Sequence, residues 1–206
     1  MAGAGVVTGD ALRDVLTDGR LLWFLNRGSG LVLLVLLTLG TASGVLSTAR
    51  TASRRWPRFV TQRTHRNVAL VALVLLVVHP ATAAIDDFVD IRWFDAFLPG
   101  GSAYRPLWTG LGALALDVVV VVVATSLLRH RLRLRTWRAV HVTAYAAWVL
   151  AVAHGLGMGT DVREPWFLSI TLASVGAVVV AAVLRTSTLA HEHRLQRAAP
   201  RPATRV

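Results

Sequence analysis

The 206-residue chain is 54% hydrophobic and 16% charged, with a mean hydropathy of +0.56, a balance that excludes an ordinary soluble globule. It contains no cysteine, which excludes disulfides, thiolate metal sites, iron–sulfur clusters and covalently attached c-type haem. The formal charge of +11 would suit a nucleic-acid binder only if the basic residues gathered on one solvent face, and their order along the chain points elsewhere.

Residues 1–30 lack the basic start, apolar core and small-residue cleavage site of a removable signal peptide, so they are expected to be retained as an external leader approaching the first helix. Five mostly apolar runs follow, about Leu31 to Ala49, Asn67 to Ile85, Leu107 to Leu128, Val140 to Met158 and Trp166 to Leu184. Each is long enough to cross a hydrocarbon layer about 30 Å thick as a helix, the form that satisfies every backbone amide internally. The connection from Asp86 to Pro106 holds Trp93, Phe94, Phe97, Tyr104 and Trp108, an aromatic set suited to the membrane interface, broken by Pro99, Gly100 and Gly101. Residues 185–206 form a basic tail expected to fray. The expected fold is an all-α integral membrane bundle of about five transmembrane helices, with residues 31–184 as its membrane domain.

The arginines set the orientation. Six fall between Arg50 and Arg66, five between Arg129 and Arg138, and five from Arg185 onward, all on one side of the bundle. The other six share the opposite side with nine acids, Asp10, Asp14, Asp18, Asp86, Asp87, Asp90, Asp95, Asp161 and Glu164. By the positive-inside rule the N-terminus is outside and the C-terminus cytoplasmic, in a multi-pass protein of the cytoplasmic membrane. Topology thus accounts for the net charge, and no nucleic-acid partner is implied.

Of seven histidines, four belong to two helices: His65 and His79 to the second, His141 and His154 to the fourth. Both helices run from the cytoplasm outward, so His65 is level with His141 near the inner face and His79 with His154 near the outer face. The members of each helix lie roughly 20 Å apart along the axis, which makes two stacked sites. A pair of imidazoles with no thiolate or carboxylate is a poor zinc cage. Haem changes the count, because the porphyrin supplies four nitrogens and needs only one histidine above and one below, in an apolar slot. Iron with two histidines has no open position, and its task is electron transfer. The competing reading of each histidine is a hydrogen bond between helices.

The spacing fits one helix better than the other. Fourteen residues bring His79 to within about 40° of the face of His65, whereas thirteen leave His154 about 140° from the face of His141. The fourth helix therefore requires a bend, a local change of winding, or two haems rotated relative to one another. Pro80, after His79, supplies one cause of distortion in the second helix.

With its two histidine pairs at separations of 14 and 13, the sequence resembles the ferric reductase-like transmembrane domain family. Within that family it is similar to a compact bacterial group, through RGSG at Arg27 to Gly30, YRPLW at Tyr104 to Trp108, ALDVVV at Ala115 to Val120, TSLLR at Thr125 to Arg129, and WRAVHVTAYAAW with HGLGMGTD between Trp137 and Asp161. The resemblance covers about Leu21 to Leu184. It implies two b-type haems, one held by His65 and His141, the other by His79 and His154, carrying electrons across the bilayer. Larger relatives append a flavin and nicotinamide domain, whereas no GxGxxG follows a strand here. The donor is then a separate flavoprotein reductase or a quinol, and the acceptor lies outside. In related systems the haem-binding subunit serves a periplasmic methionine sulfoxide reductase, which makes a single-haem subunit with such a partner the alternative. A haem-free transporter or assembly factor is the third reading.

Haem propionates are anionic and usually meet arginine, so Arg66 and Arg138 are inner candidates while Arg27 and Arg105 are outer ones. Asp117 falls near mid-membrane, where an unpaired carboxylate is costly. Trp148 and Tyr145 lie between the ligands of the fourth helix, where packing is the usual role. His130 and the His191-Glu192-His193 run fall in solvated basic segments, and no catalytic serine, paired carboxylate or phosphate loop is present.

Overall fold

Each apolar run of the sequence becomes a helix in the computed structural model, which describes residues 18–48, 58–86 and 89–198. The helices are α1 (Gly19–Thr48), α2 (Arg58–Ile85), α3 (Pro106–Leu127), α4 (Leu134–Val142), α5 (Ala144–Met158) and α6 (Pro165–Ala198). Counting α4 and α5 as one span, five segments are long and apolar enough to cross a membrane. No strand occurs among the described residues. The first seventeen residues of the expected leader, the turn from Arg50 through residue 57, Asp87 and the last eight residues of the tail lie outside the described residues.

Two boundaries differ from the sequence reading. Helix α1 begins at Gly19 rather than near Leu31, so its 30 residues span about 45 Å and the latter part of the expected leader is its first three turns. Leu22 is buried there, and that contact carries the helix past the polar residues Asn26 and Arg27. Helix α6 continues through Ala198 instead of fraying after Leu184, and its 34 residues extend for about 51 Å.

Among the described residues the interior combines alanines with a few large side chains such as Leu33, Leu34 and Trp148, while many large apolar residues face outward. Ala72, Ala113, Ala115, Ala147 and Ala181 are buried, while Leu70, Val74, Val77, Leu172, Val179 and Val183 are exposed. Small side chains let helix backbones approach, and outward branched ones suit a hydrocarbon surround. Helix α1 packs against α2, α6 and α5, and α3 packs against α5 and α4. The bundle is thus built from two hairpin-like pairs, α1 with α2 and α3 with α4–α5, and the four histidines look across the division between them.

The fourth span is broken between its two histidines. At Thr143 the backbone N–H bonds the Val140 carbonyl at 3.0 Å, three residues back, and the Thr143 hydroxyl donates to the same oxygen at 2.6 Å. A three-residue bond winds the chain at about 120° per residue instead of about 100°. Over three residues this tighter winding recovers about 60° of the roughly 140° that the thirteen-residue spacing leaves between the two histidines.

The outer connection is ordered around Asp95, which is fully buried within the 3-10 turn Trp93–Ala96. Its carboxylate accepts the Arg92 backbone N–H at 2.9 Å and both arms of the Arg92 guanidinium, which also reaches the Gly101 carbonyl at 3.0 Å. The backbone N–H of Arg92 first, and its charge second, hold the Asp95 carboxyl below its ordinary range against the opposing effect of burial. Gly100, at φ 87°, makes the turn that a side chain would strain. Around this fixed centre Trp93, Phe94, Phe97 and Leu98 all point outward.

Candidate functional site

The four histidines meet in the two expected pairs. The rings of His65 and His141 lie 6.1 Å apart between centres, and those of His79 and His154 lie 6.2 Å apart. Two metal–imidazole bonds of about 2.0 Å, with about 1.1 Å from each nitrogen to its ring centre, give about 6.2 Å. A direct hydrogen bond of about 2.9 Å would draw the centres to about 5.1 Å. Both pairs have the spacing of two ligands to one ion and are too far apart for a direct hydrogen bond from ring to ring.

Each Nδ1 is held by the helix that packs beside it. Helix α1 serves α2: the Gly40 carbonyl lies 3.1 Å from Nδ1 of His65, and the Asn26 carbonyl 3.0 Å from Nδ1 of His79. Helix α3 serves α4–α5: the Trp108 carbonyl lies 2.8 Å from Nδ1 of His154, and Oγ of Ser126 lies 3.4 Å from Nδ1 of His141. A carbonyl only accepts, so each Nδ1 beside one carries the proton and donates it. The Ser126 hydroxyl already donates to the Val122 carbonyl, so its oxygen is likewise the acceptor for His141. With Nδ1 the donor, the neutral ring presents Nε2 as its free lone pair, the arrangement of a metal-ligating imidazole.

Glycines make this approach feasible. A Cβ on Gly112 would fall 2.5 Å from Nδ1 of His154, one on Gly30 would fall 2.9 Å from Cε1 of His79, and one on Gly44 would reach 3.8 Å from Cε1 of His65. In each case the glycine lies four residues after the carbonyl that takes the Nδ1 proton: Asn26 and Gly30, Gly40 and Gly44, Trp108 and Gly112. Helical geometry puts residue i+4 beside the carbonyl of residue i, so a bare Cα there lets an imidazole edge reach the oxygen. The sequence reading missed Asn26, Gly40, Gly44 and Gly112, and took Gly30 and Ser126 only as parts of matching strings. The signal that could have found them is glycine at the depth of each histidine on the preceding helix.

The arginine candidates divide. Arg27 forms an ion pair with Asp161, donates to Oγ1 of Thr160 at 2.9 Å and covers the Trp23 ring at 4.4 Å. Arg105, at φ 44° before Pro106, donates to the Gly157 carbonyl at 2.6 Å. Both outer arginines therefore clamp α1 and the start of α3 to the end of α5 and the segment after it. Arg66 and Arg138 are exposed beside the inner pair. Trp148 packs as expected, donating its indole N–H to Oγ1 of Thr38 at 3.0 Å. Asp117 is half-buried, midway along α3 between Trp108 and Ser126. His130 is exposed and accepts from Arg131, and His191 is exposed on α6.

The residues fit haem. Among the described residues no three of His, Cys, Asp and Glu gather at one point, so each pair offers an ion two protein donors. A macrocycle that brings four nitrogens of its own completes such a set. The matched centre distances and the fixed Nδ1 protons suit that role at both depths.

A family described as a domain of unknown function (DUF8596) matches residues 21–161, a segment that contains all four histidines, their carbonyl partners, and both Arg27 and Asp161. No curated protein and no solved structure matches the chain.

Proposed function

The chain belongs to the DUF8596 family, and from the histidine pairs inside the matched segment we propose that it is a transmembrane b-type cytochrome of ferric reductase-like type. In this reading His65 with His141, and His79 with His154, would each hold one haem, and the chain would pass electrons from a cytoplasmic or quinol donor to an acceptor outside the cytoplasmic membrane. The observation that carries it is the repetition of one geometry at two depths, with ring centres 6.1 and 6.2 Å apart. The positive-inside rule supports the orientation, with the N-terminus outside and the C-terminus in the cytoplasm.

Bound haem would supply a one-electron ferric/ferrous couple at each pair. The chain's own part is to hold and insulate. The carbonyls of Gly40, Asn26 and Trp108, with the Ser126 hydroxyl, fix the imidazole planes and tautomers and raise ligand basicity. Two histidine donors at each position would leave the iron no open coordination site, so that electron passage rather than oxygen chemistry would be the outcome. Arg27 with Asp161 and Arg105 with Gly157 lock the outer ends of the two helix pairs around the outer position.

An open apolar groove of about 480 Å³ is one place where a quinol donor could dock. It lies between α1, α5 and α6 and is walled by Val45, Trp148, Val149 and Val178, with Tyr145 and Arg185 at its edge. Tyr145 is one helical turn from His141. Apolar walls with a few polar groups at that depth suit a lipid-soluble carrier.

The test is haem stoichiometry. Detergent-purified chain from haem-replete cells should show a reducible b-type spectrum with two haems per chain. Colourless, fully folded protein would overturn the reading and favour a haem-free transporter. One haem per chain would favour a single-haem subunit with a dedicated partner such as a periplasmic methionine sulfoxide reductase.

A further inference from the structure

Among the described residues two buried side-chain polar atoms have no hydrogen-bond partner, Nε1 of Trp137 and Oγ1 of Thr171. The first touches a candidate ligand. Trp137 lies one turn before His141 on α4 and stacks on its ring, with centres 4.9 Å apart and planes 25° from parallel. The Arg129 guanidinium lies 4.7 Å from the same indole centre. Stacking would be served as well by phenylalanine, so the indole N–H is the feature left without a use.

That N–H is a donor only, and a buried donor is normally satisfied. The neighbourhood holds donors and a cation: Arg129 over the indole, and the His65 and His141 rings whose Nδ1 protons are already directed elsewhere. The group that completes it is an anionic acceptor placed within reach of the His141 ring. We propose that Trp137 Nε1 donates to a propionate carboxylate of the haem held by His65 and His141, with Arg129 as the facing positive charge. This rests on the haem reading above and gives the inner site a positioning residue that differs from the sequence candidates Arg66 and Arg138.

The same acceptor chemistry is available from a lipid phosphate, and the test separates the two. Ultraviolet resonance Raman difference spectra between the chain and Trp137→Phe isolate the Trp137 indole and report whether its N–H is bonded. A strongly bonded signature is expected in chain loaded with natural haem, an unbonded one in haem-free chain, and a weaker bond in chain loaded with haem dimethyl ester, whose ester carbonyl accepts without a charge. A bonded signature in haem-free chain placed in anionic-lipid nanodiscs would assign the acceptor to lipid and overturn the proposal.

A second measurement needs no spectral assignment. In a His154→Ala chain only the inner pair remains complete, and Soret titration should show natural haem binding about tenfold more tightly than the dimethyl ester, the range of a hydrogen bond to a charged group. Adding Trp137→Phe should shrink that preference at least about threefold, a coupling that a purely structural role would not produce. An unchanged preference would overturn the proposal while leaving the haem reading intact. Absence of haem from the unmodified chain would remove both.

Discussion

Asn26 and His79 are tied to each other twice. The Asn26 carbonyl accepts from Nδ1 of His79 at 3.0 Å, and the Asn26 amide donates to the His79 carbonyl at 2.8 Å. The first bond orients the ring, and the second secures backbone next to Pro80, whose missing N–H weakens the helix at that point.

The two bonds separate under mutation. Asn26→Ala removes the amide donor but keeps the backbone carbonyl, so the His79 ring should hold its orientation while the chain loses about 1 kcal/mol of stability. Thermal melts should show the loss, and the reduced spectrum should keep both haems. Loss of the outer haem in this variant would mean that the side chain, not the carbonyl, governs the ring.

Glycine substitutions grade the same contacts by distance. Gly112→Ala would place a Cβ 2.5 Å from His154 Nδ1 and Gly30→Ala one 2.9 Å from His79 Cε1, whereas Gly44→Ala reaches only 3.8 Å from His65 Cε1. The first two should displace the rings, cost about 1–3 kcal/mol and lower haem content to about one per chain. Gly44→Ala should keep both haems, and Gly28→Ala, with nothing within 4 Å, should be neutral or slightly stabilising because alanine favours helix. Haem counts and melting temperatures across the four variants check the order.

The spans and the histidine depths were legible because both follow from one-dimensional patterns, an apolar run and a count of residues per ångström. Helix ends were not: α1 starts at Gly19 because Leu22 is buried against its neighbours, a tertiary contact that the polar residues around it conceal. The thirteen-residue spacing left a bend, altered winding or mutually rotated haems open, and the tighter turn at Thr143 depends on a hydroxyl choosing the Val140 carbonyl, which the spacing does not show. The carbonyl partners of the histidines were hidden for a simpler reason. A backbone oxygen carries no residue identity, and only the glycine one turn beyond it leaves a mark in the sequence. Arg27 stood out in the sequence as a candidate propionate partner, yet the carboxylate it meets, Asp161, lies 134 residues away by numbering and became visible only when α1 met the end of α5.

Perpendicular imidazoles should leave a spectroscopic trace. The His65 and His141 rings are inclined by 66° and those of His79 and His154 by 87°. Ferric haem between crossed axial planes gives a strongly anisotropic low-spin electron paramagnetic resonance signal, and both haems should show it, the outer one more strongly. His65→Ala and His141→Ala should each erase the same signal, and His79→Ala and His154→Ala the other. A variant at one depth that altered the opposite signal instead would break the pairing.

The cavity beside Tyr145 gives the donor reading its own check. Tyr145→Phe and Arg185→Ala should slow reduction of the cytochrome by a soluble short-chain quinol about tenfold, the effect of one lost hydrogen bond to a polar head. Chemical reduction by dithionite should be unaffected. Equal rates with quinol in the variants and the unmodified chain would move the donor site elsewhere.

Asp95 supplies a pH dependence independent of any cofactor. The Arg92 backbone N–H and guanidinium favour its ionised form, so its folded pKa lies below the ordinary value of 3.8. A depressed carboxylate stabilises the fold fully above the ordinary value, and the contribution fades as pH falls through the depressed one. The outer turn should therefore hold its structure from neutral pH down to about pH 4 and loosen below that. Exchange of the Arg92 amide proton, and fluorescence of the exposed Trp93, should report the loosening. Asp95→Asn should exchange faster than the unmodified chain at neutral pH, with the difference disappearing in acid as the native carboxyl takes up its proton. A constant difference at all pH values would show that packing of the buried side chain, and not its charge, orders the turn.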